Sequence, residues 1–147
     1  MTRTPLRFAL SVLVGAVTYY VLLTTAYKLL DAHRLPPVWW AAHVHSRGVA
    51  TFSWFILIDA TCAFIAAVPV ALALLRWGGP QRKAIGLGLG VLTGLYVMSG
   101  ALLEYGVPTY PAAWVVGICQ LVSLSTAVLM LVVLLSSRPL TTRWSAP

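Results

Sequence analysis

Hydrophobic residues run along this chain in four long blocks separated by three breaks, the first of them long. A helix rises about 1.5 Å per residue, so about 20 mostly apolar residues are needed to cross roughly 30 Å of hydrocarbon. Residues 8–30, 49–75, 84–103 and 113–135 meet that length. The pattern predicts an all-α fold: one four-span domain over residues 1–147, an integral membrane four-helix bundle. The breaks read "DAHRLPPVWWAAHVHSRG", "RWGGPQRK" and "EYGVPTYP". Each is rich in proline, glycine or charge, as connecting loops are. The first is long enough to hold a short helix lying on the membrane surface, with Pro37 suited to its first turn and Trp39 and Trp40 as interfacial anchors.

Each predicted span carries a row of small or polar residues at helical spacing. The rows are Ser11, Gly15, Thr18, Leu22 and Thr25; then Asp59, Ala63, Ala67 and Ala71; then Gly86, Gly90 and Gly94; then Gly117, Gln120, Ser123 and Ala127. Small residues let helix backbones approach closely inside a membrane, where lipid-facing positions have no need of them. These rows are therefore the expected inward faces. The glycine row is expected to pack helices together, either within the chain or between copies of it.

Composition agrees with the membrane assignment. Hydrophobic residues make up 60% of the chain and charged residues 9%, against about a quarter charged in soluble domains. The net charge of +7 would suggest nucleic acid in a soluble protein, but its placement argues for topology. Arg3, Arg7, Arg76, Arg82, Lys83, Arg138 and Arg143 fall on one side of the predicted spans, and Lys28, Arg34 and Arg47 on the other. The richer side is expected to be cytoplasmic, so that both termini of a multi-pass cell-membrane protein lie in the cytoplasm. The lipid bilayer is then the expected partner, with other membrane subunits or a second copy of the chain beside it, and no nucleic acid. Arg3 and Arg7 ahead of an apolar run resemble a signal-peptide start. The run is too long for one, and "TTAYKLLD" offers no small-residue cleavage site, so the first span is expected to be retained.

Candidate chemistry is sparse. Asp59 lies about 15 Å below the outer end of its span at 1.5 Å per residue. Counting to the same depth along the other spans reaches Thr18 and Tyr19, Gly94 and Tyr96, and Ser123, with Gln120 one turn nearer the outside. Tyr19, Tyr96, Gln120 and Ser123 are thus the expected partners of Asp59. With no lysine or arginine at that depth, an ionised carboxylate would cost several kcal/mol, and the neutral acid is the expected form. An ionisable residue inside a membrane is a functional candidate. His33, His43 and His45 cluster in and beside the first outer loop, and imidazole is a common metal ligand. Their spacing matches no specific metal motif, so solvated histidines are expected, with haem or metal as the alternative. Cys62 and Cys119 form no CxxC pair and are expected to serve as small hydrophobes.

No paired carboxylates, phosphate-binding loop or nucleophile–base arrangement stands out, and no catalytic residue is assigned. The layout is similar to that of the small multidrug transporters. Their essential acid lies in the first span and Asp59 lies in the second, so no family is assigned. The expected function is that of a non-enzymatic accessory or assembly subunit, or a self-associating membrane module. The alternatives are a small proton- or ion-coupled transporter built on Asp59 and a haem- or metal-binding redox module using the outer histidines.

Overall fold

The computed structural model describes residues 3–30, 36–44, 46–105 and 111–137, and all its regular elements are helical. They are α1 (Arg3–Leu29), the short α2 (Val38–His43), α3 (Arg47–Trp77), α4 (Arg82–Tyr105) and α5 (Pro111–Ser137). Among the described residues, four helices are long and apolar enough to cross a membrane: α1, α3, α4 and α5. Their centres fall on the hydrophobic blocks of the sequence, and each extends a few residues beyond its block.

Helices α3 and α4 are joined by a tight reversal. Gly78 closes α3 with its N–H bonded to the Leu74 carbonyl at 2.8 Å, and Gly79 follows at φ 55°. That left-handed conformation suits glycine because it has no Cβ to clash. A single turn of 3-10 helix, Gly79–Gln81, then leads into α4. Pro69 lies inside α3, which runs continuously past it; its missing N–H leaves the Ile65 carbonyl without the usual helical partner.

Around the molecule the order is α1, α3, α5, α4, each packed on its neighbours, with α1 and α5 at opposite corners. The core between them is narrow. On α3 it consists largely of Cys62, Ala63, Ala66, Ala67 and Ala71, met by Leu124, Ala127, Val128 and Val132 of α5. Cys62 is a free thiol buried in this layer.

The inward face of α1 differs from the expected one. Ser11, Thr18 and Thr25 are exposed, and Ala16, Tyr19, Leu23 and Ala26 are buried. The three hydroxyls bond back to the carbonyls of Arg7, Val14 and Val21 at 2.8–2.9 Å, each one turn earlier on the same helix. A hydroxyl satisfied within its own helix needs no partner across the core. The larger Tyr19 and Leu23 side chains bury more apolar surface.

α2 lies against the start of α3, where Trp39, Trp40 and Trp54 form a ring cluster with centroid distances of 5.6–6.4 Å. Trp40 Nε1 lies 3.1 Å from the Ala50 carbonyl and 3.2 Å from Ser53 Oγ. Pro37 stands just before the first turn of α2, as its N-cap.

A candidate site around Asp59

Asp59 is half-buried on α3, one turn before the fully buried Ala63. Each oxygen of its carboxyl group accepts one hydrogen bond. The Tyr27 hydroxyl on α1 donates to Oδ1 at 2.6 Å, and Gln120 Nε2 on α5 donates to Oδ2 at 3.2 Å. A single carboxyl group thereby connects three helices. Gln120 Oε1 is buried and accepts no hydrogen bond from any described residue.

Tyr27 was absent from the sequence-based set because the helices are not level. It lies about 3 Å from the end of α1 at Leu29, whereas Asp59 lies about 18 Å from the start of α3 at Arg47, at 1.5 Å per residue. α3 overshoots α1 at this end, which brings the last turn of α1 to the acid. The offset also places Lys28, next to Tyr27, near that level, contrary to the expectation of no basic residue there; its side chain is exposed. A signal for Tyr27 did exist in the sequence. Ala16, Tyr19, Leu23 and Ala26 form an unbroken i, i+3, i+4 row, and Tyr27 borders it. Two of its four members are large, so it does not stand out as a row of small or polar residues.

The other expected partners separate. Tyr19 is fully buried, but its hydroxyl lies 3.1 Å from the Ala63 carbonyl and 3.4 Å from the Leu124 carbonyl. It has one hydrogen to give, and the Ala63 carbonyl is nearer. Tyr19 thus ties α1 to the backbone of α3 about a turn away from Asp59. Tyr96 is 62% exposed and stacks edge-on against Tyr20, with ring centroids 5.1 Å apart. It takes no part in the cluster, because Gly90 and Gly94 turn the inward face of α4 elsewhere. Ser123 is half-buried on α5 without a hydrogen bond to the carboxyl among the described residues. Thr93, absent from the sequence-based set, is buried on α4, and its hydroxyl donates to the Ala16 carbonyl of α1 at 3.3 Å.

The glycine row of α4 faces α5 within the chain. A Cβ at Gly90 would lie 2.9 Å from both the Leu124 carbonyl oxygen and Ser125 Cα, and one at Gly94 would lie 3.0 Å from Leu121 Cα. At Gly86 the nearest atoms are side-chain methyls of Leu74 and Val128, both at 3.4 Å. Gly90 and Gly94 therefore permit backbone contact, while Gly86 sits at an ordinary packing distance. These three buried positions are covered by α5, and Gly86 by Leu74 of α3 as well, so they offer no face to a second copy.

His43 is exposed on α2, with Nδ1 2.6 Å from the Trp39 carbonyl. A carbonyl only accepts, so that nitrogen carries the hydrogen. His33 and His45 lie outside the described residues. Among the described residues no group of three metal-ligating side chains comes together.

The chain matches no protein family, no curated protein and no solved structure. Its functional reading rests on the geometry above.

Proposed function

We propose that this is a non-enzymatic, multi-pass protein of the cell membrane, a four-helix bundle that serves as an accessory or assembly subunit or a self-associating module. The observation that carries this reading is the use made of Asp59. Both of its oxygens accept bonds from side chains on neighbouring helices, so the carboxyl acts as a clasp between α1, α3 and α5. Polar groups in membrane proteins often serve to join helices in this way. The exposed helix faces, with Leu13, Val17, Leu72, Leu95 and Val122 among them, suit lipid or the apolar helices of a partner.

The proposed orientation has both termini in the cytoplasm. Its support is that the helix ends bearing most of the arginines lie together. Leu10 of α1, Gly78 after α3 and Ile85 of α4 line one groove, and Gly86 of α4 lies against Val132 of α5. Reporter fusions at both termini and at Gly79 are expected to read cytoplasmic, and fusions at Pro37 and Pro108 external. An external reading at Gly79 would reverse the orientation.

A proton- or ion-coupled carrier is the second reading, and one observation favours it. Rotating the Gln120 amide would place Oε1, which lacks a partner among the described residues, opposite Asp59, where a protonated carboxyl could donate to it. Gain or loss of a proton would then be matched by the turn of one amide. The two readings part on Asp59→Asn, which keeps the shape of the side chain but cannot titrate. In liposomes under an imposed pH gradient, a clasp predicts the same proton flux for parent and variant, at the level of empty liposomes. Flux above that level in the parent, abolished in a normally folded variant, would replace the first reading with the second.

A further inference from the structure

The α1 row read as an inward face lines an open groove instead. Leu10, Val14 and Thr18 form one wall, Pro69 and Ala73 of α3 form the other, and Leu89 of α4 lies at the base of a hollow of about 540 Å³. That volume falls within the roughly 300–1,000 Å³ of typical ligand clefts. The groove lies away from the Tyr27–Asp59 contact that joins α1 to α3, at the end where α4 packs on α1. Gly15 lets α4 in: a Cβ there would lie 2.8 Å from Leu89 Cδ2. The lining is mostly apolar. The hydroxyls of Ser11 and Thr18 are bonded to carbonyls of their own helix, which leaves carbon surface toward the groove.

Its length and its mouth identify an occupant. From Leu10 to Leu22 it runs about 18 Å at 1.5 Å per residue, close to half of the roughly 30 Å hydrocarbon core. That is the depth of one lipid leaflet. Arg7 precedes Leu10 and Ser11 by one turn on the same face of α1, and Ser11 Oγ bonds to its carbonyl. Arg82 precedes Ile85 by one turn on α4, and its Cβ packs beside Gly78 at the end of the groove, 2.9 Å from where a glycine Cβ would stand. Arg76 adjoins Trp77, which also lines the groove and is 78% exposed. Arg7, Arg76 and Arg82, on three helices, thus each stand within about one turn of a residue lining this end of the groove. Of the acids, Asp59 is about 25 Å away along α3 at 1.5 Å per residue, while Asp31 and Glu104 belong in sequence to the opposite ends of α1 and α4.

We propose that this groove binds an acyl chain of an anionic phospholipid whose headgroup phosphate lies against Arg7, Arg76 and Arg82. An apolar slot one leaflet deep accepts the chain, and three arginines without a local acid favour a headgroup bearing net negative charge. In a zwitterionic lipid the headgroup ammonium would stand among those same arginines. Trp77 suits the boundary between chain and headgroup, where amphipathic rings settle.

The test is native mass spectrometry of the full chain in mild detergent with equal amounts of phosphatidylglycerol and phosphatidylcholine. The expected result is one retained lipid per chain, predominantly phosphatidylglycerol. Arg7→Gln and Arg82→Gln should each lower that preference about fivefold, the effect of one arginine near an anionic surface. Ala73→Trp should fill the slot and remove retention of both lipids. Thr18→Trp, from the opposite wall, repeats this test should Ala73→Trp fail to fold. Equal retention of the two lipids by the parent would overturn the proposal, as would undiminished retention in a folded groove-filling variant. A chain dimer lost on filling the groove would also overturn it, since the occupant would then be a second copy.

Discussion

Gly90→Leu is expected to destabilise the protein by about 3 kcal/mol or more, at or above the upper end of the range for overpacked cores. The first carbon added at Gly90 already lies 2.9 Å from the carbonyl oxygen of Leu124 and from Ser125 Cα. Both are backbone atoms of α5, so no rotamer change relieves the contact, and α4 and α5 must separate. This interface is the most extensive in the molecule. Gly94, one turn on, is nearly as close to the α5 backbone, so the separation would open that contact too. Gly100 provides the control, because nothing lies within 4 Å of a Cβ built there. Gly100→Leu should change stability by about 0.5 kcal/mol or less, as exposed substitutions do. Gly86→Ala separates helix propensity from packing. Its nearest neighbours are side-chain methyls at 3.4 Å, so it should be neutral or gain part of the roughly 1 kcal/mol by which alanine exceeds glycine in a helix. Thermal melting in one detergent, followed by circular dichroism, gives the ranking directly. Melting of Gly90→Leu at the parent temperature would show that α4 and α5 do not meet at this distance.

Asp59→Leu is expected to cost about 2–6 kcal/mol. It leaves the Tyr27 hydroxyl and the Gln120 amide without their acceptor, and each unsatisfied polar group costs about 1–3 kcal/mol. Tyr27→Phe removes one bond and keeps the ring, so a smaller loss is expected, about 0.6–2 kcal/mol by comparison with polar contacts measured within membranes. Asp59→Asn should come close to the parent. Its oxygen still accepts from Tyr27, and its amide can donate to Gln120 Oε1, which is buried without a partner among the described residues, once the Gln120 amide has turned. Melting temperatures are therefore expected to fall in the order parent, Asp59→Asn, Tyr27→Phe, Asp59→Leu. The double variant Tyr27→Phe with Asp59→Leu should melt higher than the sum of the single losses implies, because the two residues share one bond. Melting of Asp59→Leu at the parent temperature would show that the carboxyl does not hold the helices together.

Much of the fold was legible in the sequence. The hydrophobic blocks required helices of about the observed length, because an apolar run beyond about 20 residues leaves a membrane helix as the way to satisfy its backbone. The short α2 followed from a proline and two tryptophans at an interface. The inward faces of α3 and α4 could be read from residue spacing, because 3.6 residues per turn sets which side chains share a face. The same reasoning misplaced the inward face of α1. Hydroxyls there were treated as seeking partners across the core, when each is bonded within its own turn.

The candidate site was legible only in part. Asp59 stood out by charge and Gln120 by polarity, but Tyr27 emerged only from the packing of α1 on α3. Tertiary structure also decided that Tyr19 meets the backbone carbonyl of Ala63, that the α4 glycines press on α5, and that α1, α3 and α4 leave an apolar groove between them. The physical reason is the same in each case. Periodicity along one helix sets the direction of its side chains, but it carries no information about how far that helix slides along its neighbour or which neighbour it faces. At 1.5 Å per residue, the stagger of α3 past α1 exchanged Tyr19 for Tyr27, and that stagger is decided by the packing of whole helix faces.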